Sequence, residues 1–263
     1  MYDEQDAEYC AKTALRYDPE RHLTALLAGR EARLTMMSLI AWNGELGQIG
    51  PRVREPMAGA LRLAWWRETI KGERPPEGPL ARSLLRASLP VDDLLAIVDG
   101  RMRDFDLRPF ADIAELEGYA QAIGGRLGGL LMRALGEQGE AEQAAAYGIG
   151  VAWALVGLLR SALQLAREGR SVLPGLEAEE VLANDQVARE VSRKVSERAK
   201  IHLNNSRLQI KRAYRPALLL AVPARDFLHI LQRNDYNLAD QRLHLIKRSA
   251  PLRMLLAAWL GKI

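Results

Sequence analysis

Two carboxylates three or four residues apart on a helix project from one face and can share a divalent cation, so acidic pairs at that spacing are where metal chemistry would announce itself. The chain offers Glu4/Glu8, Asp112/Glu115, Glu137/Glu140 and Glu177/Glu180. Each stands at or just before the start of a helix predicted from apolar periodicity, where the helix dipole already accounts for an acid. Helix-end stabilisation, not catalysis, is the expectation. His22, His202, His229 and His244 show no ligand spacing, and the lone Cys10 can neither close an intramolecular disulfide nor support a structural zinc site. Asp99, Asp104 and Asp106 lie close to Arg101, Arg103 and Arg108 in a run that reads as a surface charge network. Among the cations Arg160 stands out, because it interrupts an otherwise apolar helix. A buried guanidinium requires an acid or a bound anion. Pairing with Glu31 or Glu45 would make Arg160 structural, whereas projection into a pocket beside Arg33 or Arg170 would imply an anionic headgroup.

The stretch from Glu140 to Pro174 must position these groups. It starts acidic (Glu140, Glu142), ends basic (Arg167, Arg170) and stops at Gly169, the signature of one long helix. About 30 residues at 1.5 Å each would span roughly 45 Å, enough to cross a domain. This helix is expected at the centre, packed against helices over 30–49 and 112–135. Gly124, Gly125, Gly128 and Gly129 in the latter weaken a helix by about 1 kcal/mol each, which points to close approach of another helix. Further helices are predicted from about Asp3 to Leu15, Pro19 to Leu27, Pro56 to Ile70, Leu80 to Ala87, Val91 to Asp106, near Ala178, Asp185 to Ala213, Pro216 to Leu231, and from near Ser249 with Pro251 in the first turn. No useful β-alternation appears, so the fold is expected to be all-α. The Pro- and Gly-rich stretches at 51–56 and 71–79 are short connections, which leaves a single domain over 1–263.

The end of the long helix resembles the second signature of the squalene/phytoene synthase family, where a helix carrying Gln, Asn, Arg and two Asp runs into a Gly-Arg-x-x-Leu-Pro turn. Arg160, Gly169, Arg170, Leu173 and Pro174 match. The family's Gln, Asn and two Asp fall on Ala154, Gly157, Ser161 and Leu165. Arg33, Leu39, Ala41 and Trp42 resemble the first signature, yet its DxxxD positions are Gly47 and Pro51, with Gln48 beside them. Trp65, Trp66 and Arg67, and Tyr119, Gly124 and Gly128, match further family segments, although packing explains both tryptophans. The resemblance implies an isoprenoid-synthase-type helical bundle. The family's enzymes join two prenyl diphosphates head to head, with Mg²⁺ neutralising the leaving group. Glu45 is the only acid near the first motif, and one carboxylate cannot replace two pairs.

The degenerate motifs and the segment LQRNDYNLADQRL look most like the branch that includes the mitochondrial assembly factor of respiratory complex I and its α-proteobacterial relatives. The resemblance therefore implies a catalytically inactive scaffold or assembly factor without a cofactor, with prenyl lipid binding as a retained capacity. The alternative is a head-to-head prenyl diphosphate transferase with a degenerate Mg²⁺ site. Candidate pocket and anion-binding residues are Arg33, Arg160, Arg170, Ala154, Gly157, Ser161, Leu165 and Glu45; no catalytic residue or metal ligand is assigned.

Composition narrows the partners. Hydrophobic residues make up 48% of the 263, and a net charge of +4 hides an asymmetry: residues 151–263 carry 19 basic against 10 acidic side chains. Arg189 to Arg215 is the most basic stretch, readable as a solvated face or as contact with a diphosphate, an acidic partner or anionic headgroups. No nucleic-acid motif accompanies it. No run is expected to reach the ~18 apolar residues of a membrane span, the longest candidate being Pro216 to Val222, and the acidic N-terminal segment differs from a targeting peptide. A cytoplasmic protein follows, free or peripheral at the inner face of the membrane. Its expected partners are a membrane-protein subunit or anionic membrane surface, and a prenyl lipid or prenyl diphosphate.

Overall fold

Capping side chains set most of the helix ends. In the computed structural model, which describes residues 3–52, 56–137, 139–206 and 211–260, Asp3 accepts from the Gln5 and Asp6 amides to start α1 (Glu4–Tyr17). Asp18 ends that helix and, with Pro19 following, caps α2 (Pro19–Leu26). Next come α3 (Arg30–Gly47), α4 (Ile49–Arg52), α5 (Pro56–Lys71), α6 (Gly78–Arg86) and α7 (Val91–Gly100). The predicted helix over 91–106 instead tightens after Gly100 into a 3-10 turn, Arg101–Phe105, where Phe105 lays its ring against the backbone of Gly59 in α5. Asp112 then caps α8 (Ile113–Ala120), which opens into a π turn at Gln121–Gly125 before α9 (Arg126–Ala134). The long helix α10 covers Glu140–Arg167, and its end is closed by Gly169 at φ 77° with the Arg170 amide donating to Leu165 O.

Beyond it lie α11 (Ala178–Ala183), begun by a Glu177/Glu180 capping box, and α12 (Gln186–Asn205), begun by Asp185. The expected continuation of α12 to Ala213 does not occur: it ends at Asn205, and Arg212–Leu218 forms a 3-10 turn containing Pro216. α13 consequently starts at Ala221 and runs to Arg233, five residues later than expected at its start. α14 covers Arg242–Leu260, beginning well before the expected Ser249 and carrying Pro251 inside rather than in its first turn. A proline removes one amide donor, and the surrounding turns hold the helix through it. Among the described residues there is no strand, and the architecture is an all-α bundle, as expected.

One apolar cluster runs from Cys10 in α1 to Ala257 in α14. α10 sits at its middle, walled by α9, the π turn and α12, with α11 and α13 beside them. By length and composition α10 could cross a membrane, against the sequence expectation; here its apolar surface is core. The expected pairing of α3 with α10 is not a principal contact. α3 packs mainly on α1, α6, α9 and α2, and α9 lies between it and α10.

Glycines make that arrangement possible. A methyl on Gly128 would overlap the Ala146 carbonyl, and one on Gly150 would overlap the Gly124 carbonyl, so the two backbones touch directly. The π turn widens the helix there and turns Gly124 and Gly125 toward α10. Gly157, on the exposed side of α10, has no atom within 4 Å of where a methyl would sit. Gly150→Ala is expected to destabilise by about 1–3 kcal/mol through overpacking, while Gly157→Ala stabilises by up to about 1 kcal/mol through helix propensity. Urea unfolding of both variants checks the contrast; equal effects would remove the close-approach account.

Candidate functional site

Four elements converge on a cavity of about 350 Å³. The C-terminal end of α3 supplies Gly47 and Gln48, and the 3-10 turn supplies Arg101, Arg103 and Asp104. α8 contributes Tyr119, and the last turns of α10 contribute Leu158, Ser161, Gln164 and Leu165. The Gly169 turn swings Arg170 into the same cavity, and Leu173 and Pro174 behind it are buried and anchor the turn. The two segments that match the family signatures therefore face each other across this space. Leu107, Phe110 and Val172 add an apolar wall, and Phe110 itself lies under the Arg103 guanidinium at 4.2 Å.

Arg101 dominates the electrostatics. Its side chain is only 12% exposed, and its guanidinium lies 3.4–3.6 Å from where a side chain at Gly47 would begin. One terminal nitrogen donates to the Tyr119 hydroxyl (3.1 Å) and approaches Asp104 Oδ2 (3.4 Å); the other donates to Asn43 Oδ1 (3.1 Å). The Tyr119 hydroxyl in turn donates to Asp104 Oδ1 at 2.5 Å. Burial raises the Tyr119 phenol far above its ordinary range, with Asp104 adding to the rise against the opposing pull of Arg101, so it remains a donor at any physiological pH. Arg170 completes the ring by donating to the Asp104 carbonyl at 2.6 Å.

This corrects the reading of Asp104 and Arg101 as surface charges. They form the polar floor of the cavity, while Asp106, Arg108 and Asp99 stay at its rim or outside. Of the residues singled out from sequence, the fold brings together Gly47, Ser161, Leu165 and Arg170. It separates the others. Ala154 is packed where Gly124 approaches, and Gly157 opens on solvent, so the four positions on α10 do not make one continuous slot. Arg33 is exposed and donates to the Ala28 carbonyl. Glu45 accepts from Tyr9 on the far side of α3. Arg160 pairs with Glu20 at 2.9 Å, not with Glu31 or Glu45, and leans on Trp153 at 5.3 Å, which makes it structural. Asn43, Arg101, Asp104 and Tyr119 were missed as a site. The breaking of the predicted 91–106 helix at Arg101 is the local signal that could have flagged them.

The residues present do not fit a family-type Mg²⁺ cluster. Magnesium requires near-octahedral oxygen at about 2.0–2.1 Å, and the carboxylates here are already engaged: Asp104 with Tyr119 and Arg101, Asp106 with Arg108, Glu168 with Gln164. Three guanidiniums, Arg101, Arg103 and Arg170, line the space that cations would share. Among the described residues no group of three metal-ligating side chains occurs.

Comparison with known proteins decides the family. The squalene/phytoene synthase family model matches residues 14–249. The chain belongs to that family. It is similar to human "NADH dehydrogenase (ubiquinone) complex I, assembly factor 6", 30% identical over 271 residues, covering 95% of this chain and 81% of the relative. The bovine protein of the same name is also 30% identical, with the same coverage. Two solved structures share the fold. A dehydrosqualene synthase in complex with ligand superimposes with a TM-score of 0.79 at 18% identity, over 99% of this chain and 98% of its own. Squalene synthase HpnC from Alicyclobacillus acidocaldarius gives 0.73 at 17% identity, over 89% and 95%.

Within this family member Arg101 holds three elements together. Arg101→Ala would leave the partly buried Asp104 with one donor fewer, and we expect a loss of about 1–3 kcal/mol. Arg101→Lys should recover only part of it, since an ammonium cannot span Asn43 and Tyr119 together. Chemical denaturation measures both, and full stability in the alanine variant would overturn the assignment.

Proposed function

We propose that this chain is an assembly factor for respiratory complex I, built on the squalene/phytoene synthase fold and without prenyl-transferring activity. The observation that carries the absence of catalysis is the Arg101 guanidinium against Gly47: a fixed cation occupies the space into which the family's first motif would project an aspartate. Ionising an allylic diphosphate without metal stabilisation forfeits several kcal/mol, which is orders of magnitude in rate. Similarity to the assembly factors along 95% of the chain supports the positive half of the reading. Complex I is a membrane assembly, so the site of action is the cytoplasmic side of the membrane that holds it.

A second capacity has its own support. The cavity has the size of a small ligand site, roughly 300 Å³ or more, and its wall of Leu107, Phe110, Leu158, Leu165 and Val172 suits part of a prenyl chain. The reading therefore includes a prenyl lipid held without metal, and Arg170 is placed to meet a polar head.

Deleting the chain from its own cell should lower the amount of fully assembled complex I on native gels, and an unaltered rescuing copy should restore it; unchanged complex I on deletion would sink the assembly reading. With purified protein, farnesyl diphosphate and Mg²⁺ should release no pyrophosphate above background, and turnover near about one per second, ordinary for an enzyme, would show a catalyst instead. Titration with farnesyl diphosphate and with farnesol should give binding that Ser161→Trp, which fills the cavity, abolishes. Binding unaffected by that substitution places the ligand elsewhere.

A further inference from the structure

Five large apolar side chains of α14 are left uncovered by the described residues. On α14 the buried residues Ala250, Met254 and Ala257 form one stripe against α13 and the core. Leu252, Leu255, Leu256, Trp259 and Leu260 lie on the opposite side of the same helix, between 43% and 73% exposed, with Trp259 the most exposed. Spacings of three and four make them a single face. A contiguous exposed face of this kind on a folded chain marks a docking surface.

The charge around it says what docks. No acid follows Asp240 in the sequence, while Arg242, Lys247, Arg248, Arg253 and Lys262 do. The 3-10 turn that packs on α14 lies in a second acid-free stretch, 198–225, and brings Lys211 and Arg212, both exposed, to its neighbourhood. Arg215 of that turn ties the two elements together by donating to the Ala258 carbonyl at 2.8 Å. The basic helix that sequence composition favoured is differently used. On α12, Arg193 pairs with Glu190 and Glu197, Arg198 with Glu117, and Arg189 with Asp235. Its cations are largely neutralised within the molecule, and on α14 Arg242 pairs with Asp240 and Arg253 with Asp226, whereas Lys211 and Arg212 stand exposed in the acid-free stretch.

We infer that α14 is an interfacial helix that seats this protein on an anionic lipid surface, its Leu and Trp face entering the headgroup boundary and the neighbouring Lys and Arg meeting phosphate. Leucine and tryptophan on one face with cations around it are what such helices require, and tryptophan prefers the boundary because its ring is apolar and its N–H polar. The inference names the face on which an assembly factor would approach its membrane, and in that sense rests on the proposed function; the lipid binding itself needs no complex I.

The test is co-sedimentation of the full chain with vesicles of phosphatidylcholine alone and of phosphatidylcholine with roughly one part in three phosphatidylglycerol, a fraction that gives a negative surface potential. Binding to the anionic vesicles should be at least about tenfold tighter, should weaken with salt, and should shift tryptophan emission to the blue. Leu256→Glu and Trp259→Glu change only exposed positions and should each weaken binding about tenfold or more. Lys211→Glu combined with Arg212→Glu should do the same without touching the apolar face. No binding to either vesicle, or equal binding by wild type and all variants, overturns the inference. If the face variants lower complex I in cells while the wild type ignores vesicles, the face belongs to a protein partner and the lipid inference fails with the assembly reading intact. Vesicle binding that depends on the face, with complex I unaffected by deletion, would support the inference and sink the assembly reading.

Discussion

The direct contact between the backbone around Gly124 and Gly128 and that of α10 at Ala146 and Gly150 is the constraint from which most of the architecture follows. Even a methyl on Gly124, Gly128 or Gly150 would overlap the facing carbonyl and push the helices apart. Closeness here has two results. It makes α9 the partner of α10 and puts α3 one layer out, and it swings the preceding helix, α8, so that Tyr119 reaches the cavity at the far end of α10. The π turn is the local adjustment that lets both happen in one continuous run of helix, with the Arg126 amide bonding five residues back to Gln121.

At the cavity the chain keeps a scaffold and reverses its electrostatics. A metal-dependent diphosphate site gathers carboxylates so that their repulsion is relieved by divalent cations. Here the positions that face each other are Gly47, Ser161 and Leu165, and the positive charge is covalent, supplied by Arg101 and Arg170. A guanidinium cannot leave, cannot exchange ligands and is already neutralised by Asp104. What it supplies is rigidity: Arg101 joins the end of α3 through Asn43 to the turn at Asp104 and to α8 at Tyr119. The polar floor has become a structural joint, while the apolar wall beside it retains ligand-sized space.

Basic residues also divide into two populations. Those of α12 are matched by Glu117, Glu190, Glu197 and Asp235, and the Arg198 guanidinium beside Glu117 holds that carboxyl below its usual range, helped by His202. These pairs orient α12 against α8 and α13. Lys211 and Arg212, by contrast, are exposed at the turn that packs on α14, in a stretch without acids.

The sequence by itself determined the helical class, the central place of the 140–168 segment and most helix starts. These are local properties: apolar period, Asp3, Asp18, Asp112 and Asp185 as capping acids, and a glycine at a left-handed terminus act within a few residues of where they are read. The missing aspartates at Gly47, Ser161 and Leu165 were equally legible, because an absent side chain needs no fold to be seen. Only the tertiary structure decided what took their place. Arg101 is 54 residues from Gly47 in sequence, and Tyr119 and Arg170 are further still; nothing local distinguishes Arg101 from Arg103, which pairs with Glu115, or from Arg108, which pairs with Asp106. The same holds for Arg160, whose acid proved to be Glu20, and for Pro251, which ends a helix in isolation and is carried through one here by its neighbours. Which charge meets which acid, and which apolar face is left bare, depends on the rotation of whole helices about their axes, and that rotation is fixed by packing between elements distant in the chain.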